Sequence, residues 1–232
     1  MNDPRSFWVT GASNGLGLAL VQQLLEQGHR VAASSKAGGE MEALAQRHGR
    51  NLLRLPWQLH EEDQAAKAAE QICHAWRSLD GLIVNAATSD YLADDLPPGE
   101  VFEAIVNTNQ LAAEHCLAKA QPLLARGHGA QVMAIFNRYS ASQLFAPTQV
   151  TAGWNHVPQW VREQRQALKE AGIDLTTVAP QSPKTAVTPV LALPDAWTPE
   201  TAAEVLLSRL ALREPELVLE VIDIPSLWPL PR

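Results

Sequence analysis

Short, nearly unbroken apolar runs alternate along this chain with longer segments in which apolar residues recur every three or four positions. The runs Phe7–Thr10, Arg30–Ser34, Leu52–Leu55, Gly81–Asn85, Gln131–Phe136, Asp174–Val178 and Leu217–Ile222 predict strands. Most are apolar at successive rather than alternate positions, the pattern of strands buried on both faces of a parallel sheet. Between them, Gly15–Gln27, Glu40–His48, Glu61–Arg77, Glu100–Arg126, part of Thr148–Ala171 and Pro199–Leu212 predict helices. Such alternation implies right-handed crossovers and an α/β fold, a doubly wound parallel sheet of about seven strands. No internal repeat breaks the order, so residues 1–232 read as one domain. Proline gathers at Pro97-Pro98, from Pro180 to Pro194 and from Pro225 to Pro231; the first two clusters punctuate loops, and 224–232 reads as an extended tail.

With 46% apolar residues the chain can bury a sizeable core. Its net charge of -7 argues against a nucleic-acid partner, which calls for a basic stripe. No apolar run approaches the ~18 residues of a membrane span, and Met1-Asn2-Asp3-Pro4-Arg5 has no apolar signal character. A cytoplasmic protein without a membrane partner is expected. Cys73 and Cys116 fall inside predicted helices far apart in sequence and read as buried free thiols.

The first strand carries the most specific chemistry. Phe7-Trp8-Val9 runs into Thr10-Gly11-Ala12-Ser13-Asn14-Gly15-Leu16-Gly17 and then into an apolar helical segment. A strand, a glycine-rich turn and a helix in this order form the Rossmann-type cradle for a dinucleotide. Gly11 allows a sharp turn, Gly15 lets backbone approach a diphosphate, and Gly17 allows close helix–strand contact. The first N–H groups of the helix then face the phosphates. A glycine-rich structural turn is the alternative. The second strand ends Ala33-Ser34-Ser35-Lys36, with no carboxylate before Glu40. An NAD(H) site places an acidic residue here. Lys36 and the hydroxyls of Ser34 and Ser35 suit a 2′-phosphate instead, which favours NADP(H) over NAD(H). A solvated surface lysine is the alternative.

These residues resemble the short-chain dehydrogenases/reductases over nearly the whole chain. The turn from Thr10 to Gly17 is similar to that family's TGxxxGxG. Leu82-Ile83-Val84-Asn85-Ala86-Ala87 resembles its fourth strand ending in NNAG, with Val84 for the first Asn and Ala87 for the Gly. Asn109 falls thirteen residues before Pro122, where the family has its helix Asn. Pro180-Gln181-Ser182-Pro183-Lys184-Thr185 resembles PGxxxT, with Gln181 for the Gly. The resemblance implies a cofactor site built from Gly11, Ser13, Asn14, Gly15, Leu16, Ser34, Ser35, Lys36, Gln58, Leu59, Asn85, Ala86, Pro180, Gln181 and Thr185. Gln58 stands where the family has an Asp that contacts adenine. The resemblance also implies a carbonyl or other small-molecule substrate, and a homodimer or tetramer. The helix around Asn109 shows a broad apolar stripe that suits such pairing.

The catalytic positions depart from the family. It has a Ser after the fifth strand, a Tyr thirteen residues later and a Lys four further on, with the Tyr thirty residues before the Pro of PGxxxT. Thirty back from Pro180 is Val150, four on is Trp154, and thirteen back from Val150 is Asn137. Of the four usual residues only Asn109 remains. Valine neither donates nor accepts a proton, and Asn137 donates a hydrogen bond without serving as an acid. Tyr139-Ser140-Ala141-Ser142-Gln143 looks like the family's YxASK but starts only two residues after Asn137. Tyr139 reads either as a pocket-lining residue or as a packed loop aromatic. Asn109, Asn137 and Tyr139 are the candidate catalytic residues. Two functions follow: an impaired or non-catalytic NADP(H)-binding protein, or an NADP-dependent carbonyl reductase or alcohol dehydrogenase with a site rearranged around Tyr139.

Overall fold

The computed structural model describes residues 3–36, 38–85, 97, 101–136, 157–179 and 197–218. Seven strands form one sheet: β1 (Ser6–Val9), β2 (Arg30–Ser34), β3 (Leu52–Leu55), β4 (Gly81–Asn85), β5 (Gln131–Ile135), β6 (Asp174–Ala179) and β7 (Glu216–Val218). The helices are α1 (Gly15–Glu26), α2 (Gly39–His48), α3 (Glu62–Trp76), α4 (Val101–Leu124), α5 (Val157–Glu170) and α6 (Pro199–Leu210). The strands lie in the order β3-β2-β1-β4-β5-β6-β7, and every neighbouring pair is parallel. The chain winds outward from β1 to β3, then returns to the other side of β1 as β4. The crevice between β1 and β4 is therefore the topological switch point, where sheets of this kind bind ligands.

The unbroken apolar runs follow from two-sided burial. Trp8, Leu82, Val84, Val132 and Leu175 pack against α3, α4 and α5. Phe7, Val9, Ile83, Met133 and Val178 pack against α1, α2 and α6. Successive residues of one strand thus feed opposite helical layers, so both must be apolar.

Element ends moved by one or two residues, and the expected end of the last strand at Ile222 lies outside the described residues. Thr10 leaves β1 and its N–H donates to Ile83 O at 3.0 Å, opening the glycine turn. A short 3₁₀ turn at Gly49–Asn51, not expected from the sequence, joins α2 to β3. α5 starts at Val157 with Pro158 second, where a proline lacks only an N–H that has no helical partner. Thr198 caps α6: its hydroxyl accepts from Thr201 N–H at 3.3 Å, and Thr201 Oγ1 accepts from Thr198 N–H at 2.8 Å. Within α4, Ala112, Ala113, Cys116, Leu117, Ala120, Leu123 and Leu124 are buried inside the single chain. These residues pack into the chain's own core. Cys116 is buried, which pushes its thiol pKa up, whereas Cys73, expected to be buried, is only half-buried. No helix among the described residues is long and apolar enough to cross a membrane.

A polar knot ties the entry end of the sheet. Asp80 Oδ2 accepts from Ser6 N–H at 2.7 Å and Ser6 Oγ at 3.0 Å, and Oδ1 accepts from His128 N–H at 2.8 Å. Arg5 donates to the carbonyls of Asp80 and Gly129, and its main-chain N–H donates to Nδ1 of buried His29 at 3.1 Å. Burial and the nearby Arg5 hold the His29 pKa below its ordinary 6.5, against the pull of Asp80. The unfolded chain therefore takes up a proton near pH 6.5 that the folded chain refuses, and stability falls as pH drops below that value. A melting scan from pH 8 to 5 is expected to show a lower melting temperature on the acid side, and a smaller acid loss in His29→Gln. An equal acid loss in both proteins rejects this assignment.

Candidate functional site

The glycine turn sits at the switch point, at the carboxyl end of β1. Gly11 and Gly15 have φ of +61° and +51°, in the left-handed region that glycine enters without steric cost. Gly17 has a stricter constraint: a Cβ there would lie 2.0 Å from Gly11 O. The first turn of α1 thus rests directly on the backbone of the turn. Asn85, buried at the end of β4, holds the same atoms in place. Its Nδ2 donates to Gly11 O at 3.1 Å, and its N–H donates to Thr10 Oγ1 at 3.1 Å. Asn14 occupies the N-cap of α1 without a side-chain capping bond, and the first turn carries no acidic residue. Among the described residues no side chain caps the leading N–H groups of α1, and the helix dipole favours an anion there.

The ribose side of the site extends past β2. Ala12 N–H donates to Ser34 O at 3.0 Å, and Lys36 N–H donates to Ser13 Oγ at 2.8 Å, so the strand end is fastened to the glycine turn. Ser34 does not face this opening, contrary to the sequence expectation. It is fully buried and its hydroxyl accepts from Trp8 Nε1 at 2.9 Å. The strand's alternation turns Ser34 inward. Ser35 and Lys36 instead line a cleft of about 510 Å³. Arg54 lines the same cleft, a residue that the sequence reading passed over. Its signal was there: a lone cation in the otherwise apolar strand Leu52-Leu53-Arg54-Leu55.

Gln58 follows β3. Its side-chain Oε1 is buried, and no donor among the described residues reaches it. Its main-chain N–H donates to Gln64 Oε1 at 2.9 Å, which fastens the segment to α3. An orphaned buried acceptor suits an incoming amino group such as that of adenine. Leu16 and Leu59 are fully buried core residues, so only their main chains are available to a ligand. Asn109 is buried on α4. Taken together, these residues fit a dinucleotide: open N–H groups for a diphosphate, an orphan acceptor for a base and a cationic cleft for a ribose phosphate. Ala86, Asn137, Tyr139, Val150, Trp154, Pro180, Gln181 and Thr185, together with the tail 224–232, lie outside the described residues.

Comparison with known proteins gives this arrangement its relatives. The short chain dehydrogenase family model matches residues 6–193. A cis-2,3-dihydrobiphenyl-2,3-diol dehydrogenase of Pseudomonas sp. (strain KKS102) is 32% identical over 138 residues, 56% of this chain and 49% of the relative. A cis-1,2-dihydrobenzene-1,2-diol dehydrogenase of Pseudomonas putida is 30% identical over 134 residues, again 56% of this chain and 49% of the relative. The chain thus spans about half the length of the curated relatives it matches. Among solved structures, the Pseudomonas aeruginosa RhlG/NADP active-site complex superposes with a TM-score of 0.67 at 22% identity, covering 94% of this chain and 95% of that one. A short-chain dehydrogenase from Streptomyces avermitilis also superposes at 0.67, with 16% identity and coverage of 94% and 89%. At these identities the superpositions speak to fold alone.

Proposed function

The chain belongs to the short chain dehydrogenase family, and from that premise we propose that it binds NADP(H) and has lost most of the proton-transfer chemistry of such enzymes. The observation that carries the binding half is the glycine turn, with Gly17 seated against Gly11 O beside an uncapped helix N-terminus at the switch point. A nicotinamide nucleotide bound there supplies or accepts a hydride. The chain's own part is to hold the diphosphate on the N–H groups of the turn and of α1. Gln58 Oε1 accepts from the adenine amino group, and Lys36 with Ser35 meets the 2′-phosphate.

The impaired half rests on composition at three positions. Where the family has Ser, Tyr and Lys, this chain has Asn137, Val150 and Trp154. Positioned proton transfer supplies roughly 10²- to 10⁴-fold in rate, and valine contributes none of it. A protein of this kind serves as a sensor, a partner or a stabilising subunit. A second reading has its own support: the curated relatives are dihydrodiol dehydrogenases, and Tyr139 offers a phenol. On that reading the chain is an active NADP-dependent carbonyl reductase or alcohol dehydrogenase working around Tyr139, with cis-dihydrodiols first in a panel of ketones, aldehydes and alcohols.

Titration with NADPH and NADH tests the binding half. NADPH is expected to bind more tightly, and Lys36→Asp to weaken NADPH by roughly ten- to a hundredfold, the value of one lost charge-assisted hydrogen bond. NADH should hold its affinity or gain. Equal affinity for both nucleotides in the unmodified protein, or none for either, sinks the proposal.

A further inference from the structure

We propose that Arg54 is a second cation of the nucleotide site, reaching the 2′-phosphate of NADP(H) from β3 beside Lys36; this rests on the NADP(H) reading above. The parallel register sets Arg54 opposite Ala33, and Ser35 N–H donates to Leu55 O at 3.4 Å, so pairing continues past the end of β2. Two cations from neighbouring strands therefore converge on one cleft, with Met41 and Leu53 as apolar walls. The bond from Lys36 N–H to Ser13 Oγ fastens the strand end that lines this cleft to the glycine turn, which puts the cleft beside the turn.

Arg54 has an ion pair with Glu42 of α2 through Nη1. The two side chains are 50% and 52% exposed, so the pair is solvent-screened and readily exchanged. A guanidinium offers five N–H donors in a planar fork, and a phosphate dianion takes that fork more strongly than a single carboxylate does. Glu42 thus holds Arg54 at the mouth of the cleft until a phosphate replaces it. NADH, which has no 2′-phosphate, leaves the pair in place. The recognition is then set by two strands at once and not by the end of β2 alone.

Calorimetry or fluorescence titration of the full chain with NADPH, NADH, 2′,5′-ADP and 5′-AMP tests this. Arg54→Met is expected to weaken NADPH and 2′,5′-ADP by about tenfold while NADH and 5′-AMP are unchanged. Arg54→Lys, which keeps the charge, should retain most of the preference. Parallel weakening of NADPH and NADH would make Arg54 a structural residue and overturn the inference. A wild type that prefers NADPH, loses the preference in Lys36→Asp and keeps it whole in Arg54→Met overturns the inference about Arg54 alone. A wild type with no preference for the 2′-phosphate overturns both it and the NADP(H) reading.

Discussion

Gly17→Ala is expected to abolish dinucleotide binding and to destabilise the fold by about 3 kcal/mol or more, the upper end of what overpacking costs. The added Cβ would meet Gly11 O at 2.0 Å and Gly11 C at 2.8 Å. Both are backbone atoms, so no side-chain rotation relieves the clash. Gly11 O is also pinned by Asn85 Nδ2, and Thr10 by β4, so the turn resists moving away. The helix must lift instead. That withdraws its leading N–H groups from the phosphates and opens the contacts of Leu16 and Leu20 with the core. Gly39→Ala is the matched control. A Cβ there meets nothing within 4 Å, so its melting temperature should stay level or rise slightly, because alanine is the better helix former. Denaturation midpoints and NADPH titration read both variants. A Gly17→Ala protein that melts and binds like the wild type would falsify the account of the turn.

Turnover should rise by about 10² and up to 10⁴ when Val150→Tyr and Trp154→Lys are combined, because a positioned proton donor is worth that much. A phenol has an ordinary pKa of about 10, and an ammonium four residues on lowers it, so the pair puts an acid at positions now held by valine and tryptophan. Both positions lie outside the described residues and are assigned by counting back from Pro180. Asn109, buried on α4, is the family residue that remains to support the new lysine. Asn137→Ser completes the set where the double variant alone is insufficient. The wild type is expected to be nearly inert on the panel of carbonyls and alcohols, and Tyr139→Phe should leave that baseline where it is. Ordinary enzymatic turnover by the wild type, abolished in Tyr139→Phe, would reject the impaired reading and install the rearranged one.

The two halves of the molecule were not equally legible. Elements with strong local patterns were readable one by one: the seven strands and the glycine turn. A strand buried on both faces needs consecutive apolar residues, so neighbours in sequence determine it. Gly11, Gly15 and Gly17 were readable for the same reason, since their spacing is a local backbone requirement.

Side-chain direction and long-range pairing were not readable. Ser34 and Ser35 look equivalent as a pair of hydroxyls beside Lys36, yet the pleat turns one into the core against Trp8 and the other toward the cleft. Arg54 lies eighteen residues from Lys36 in sequence, and only the β2–β3 register brings the two to one cleft. The orphan oxygen of Gln58 and the knot of Arg5, His29, Asp80 and His128 likewise depend on partners far along the chain. The amino-acid sequence alone determined the order of elements, the layered α/β fold and the nucleotide turn, because those follow from local periodicity and backbone sterics. Only the tertiary structure decided which polar groups meet at the site, because that depends on register and on the two faces of each strand, which no local pattern encodes.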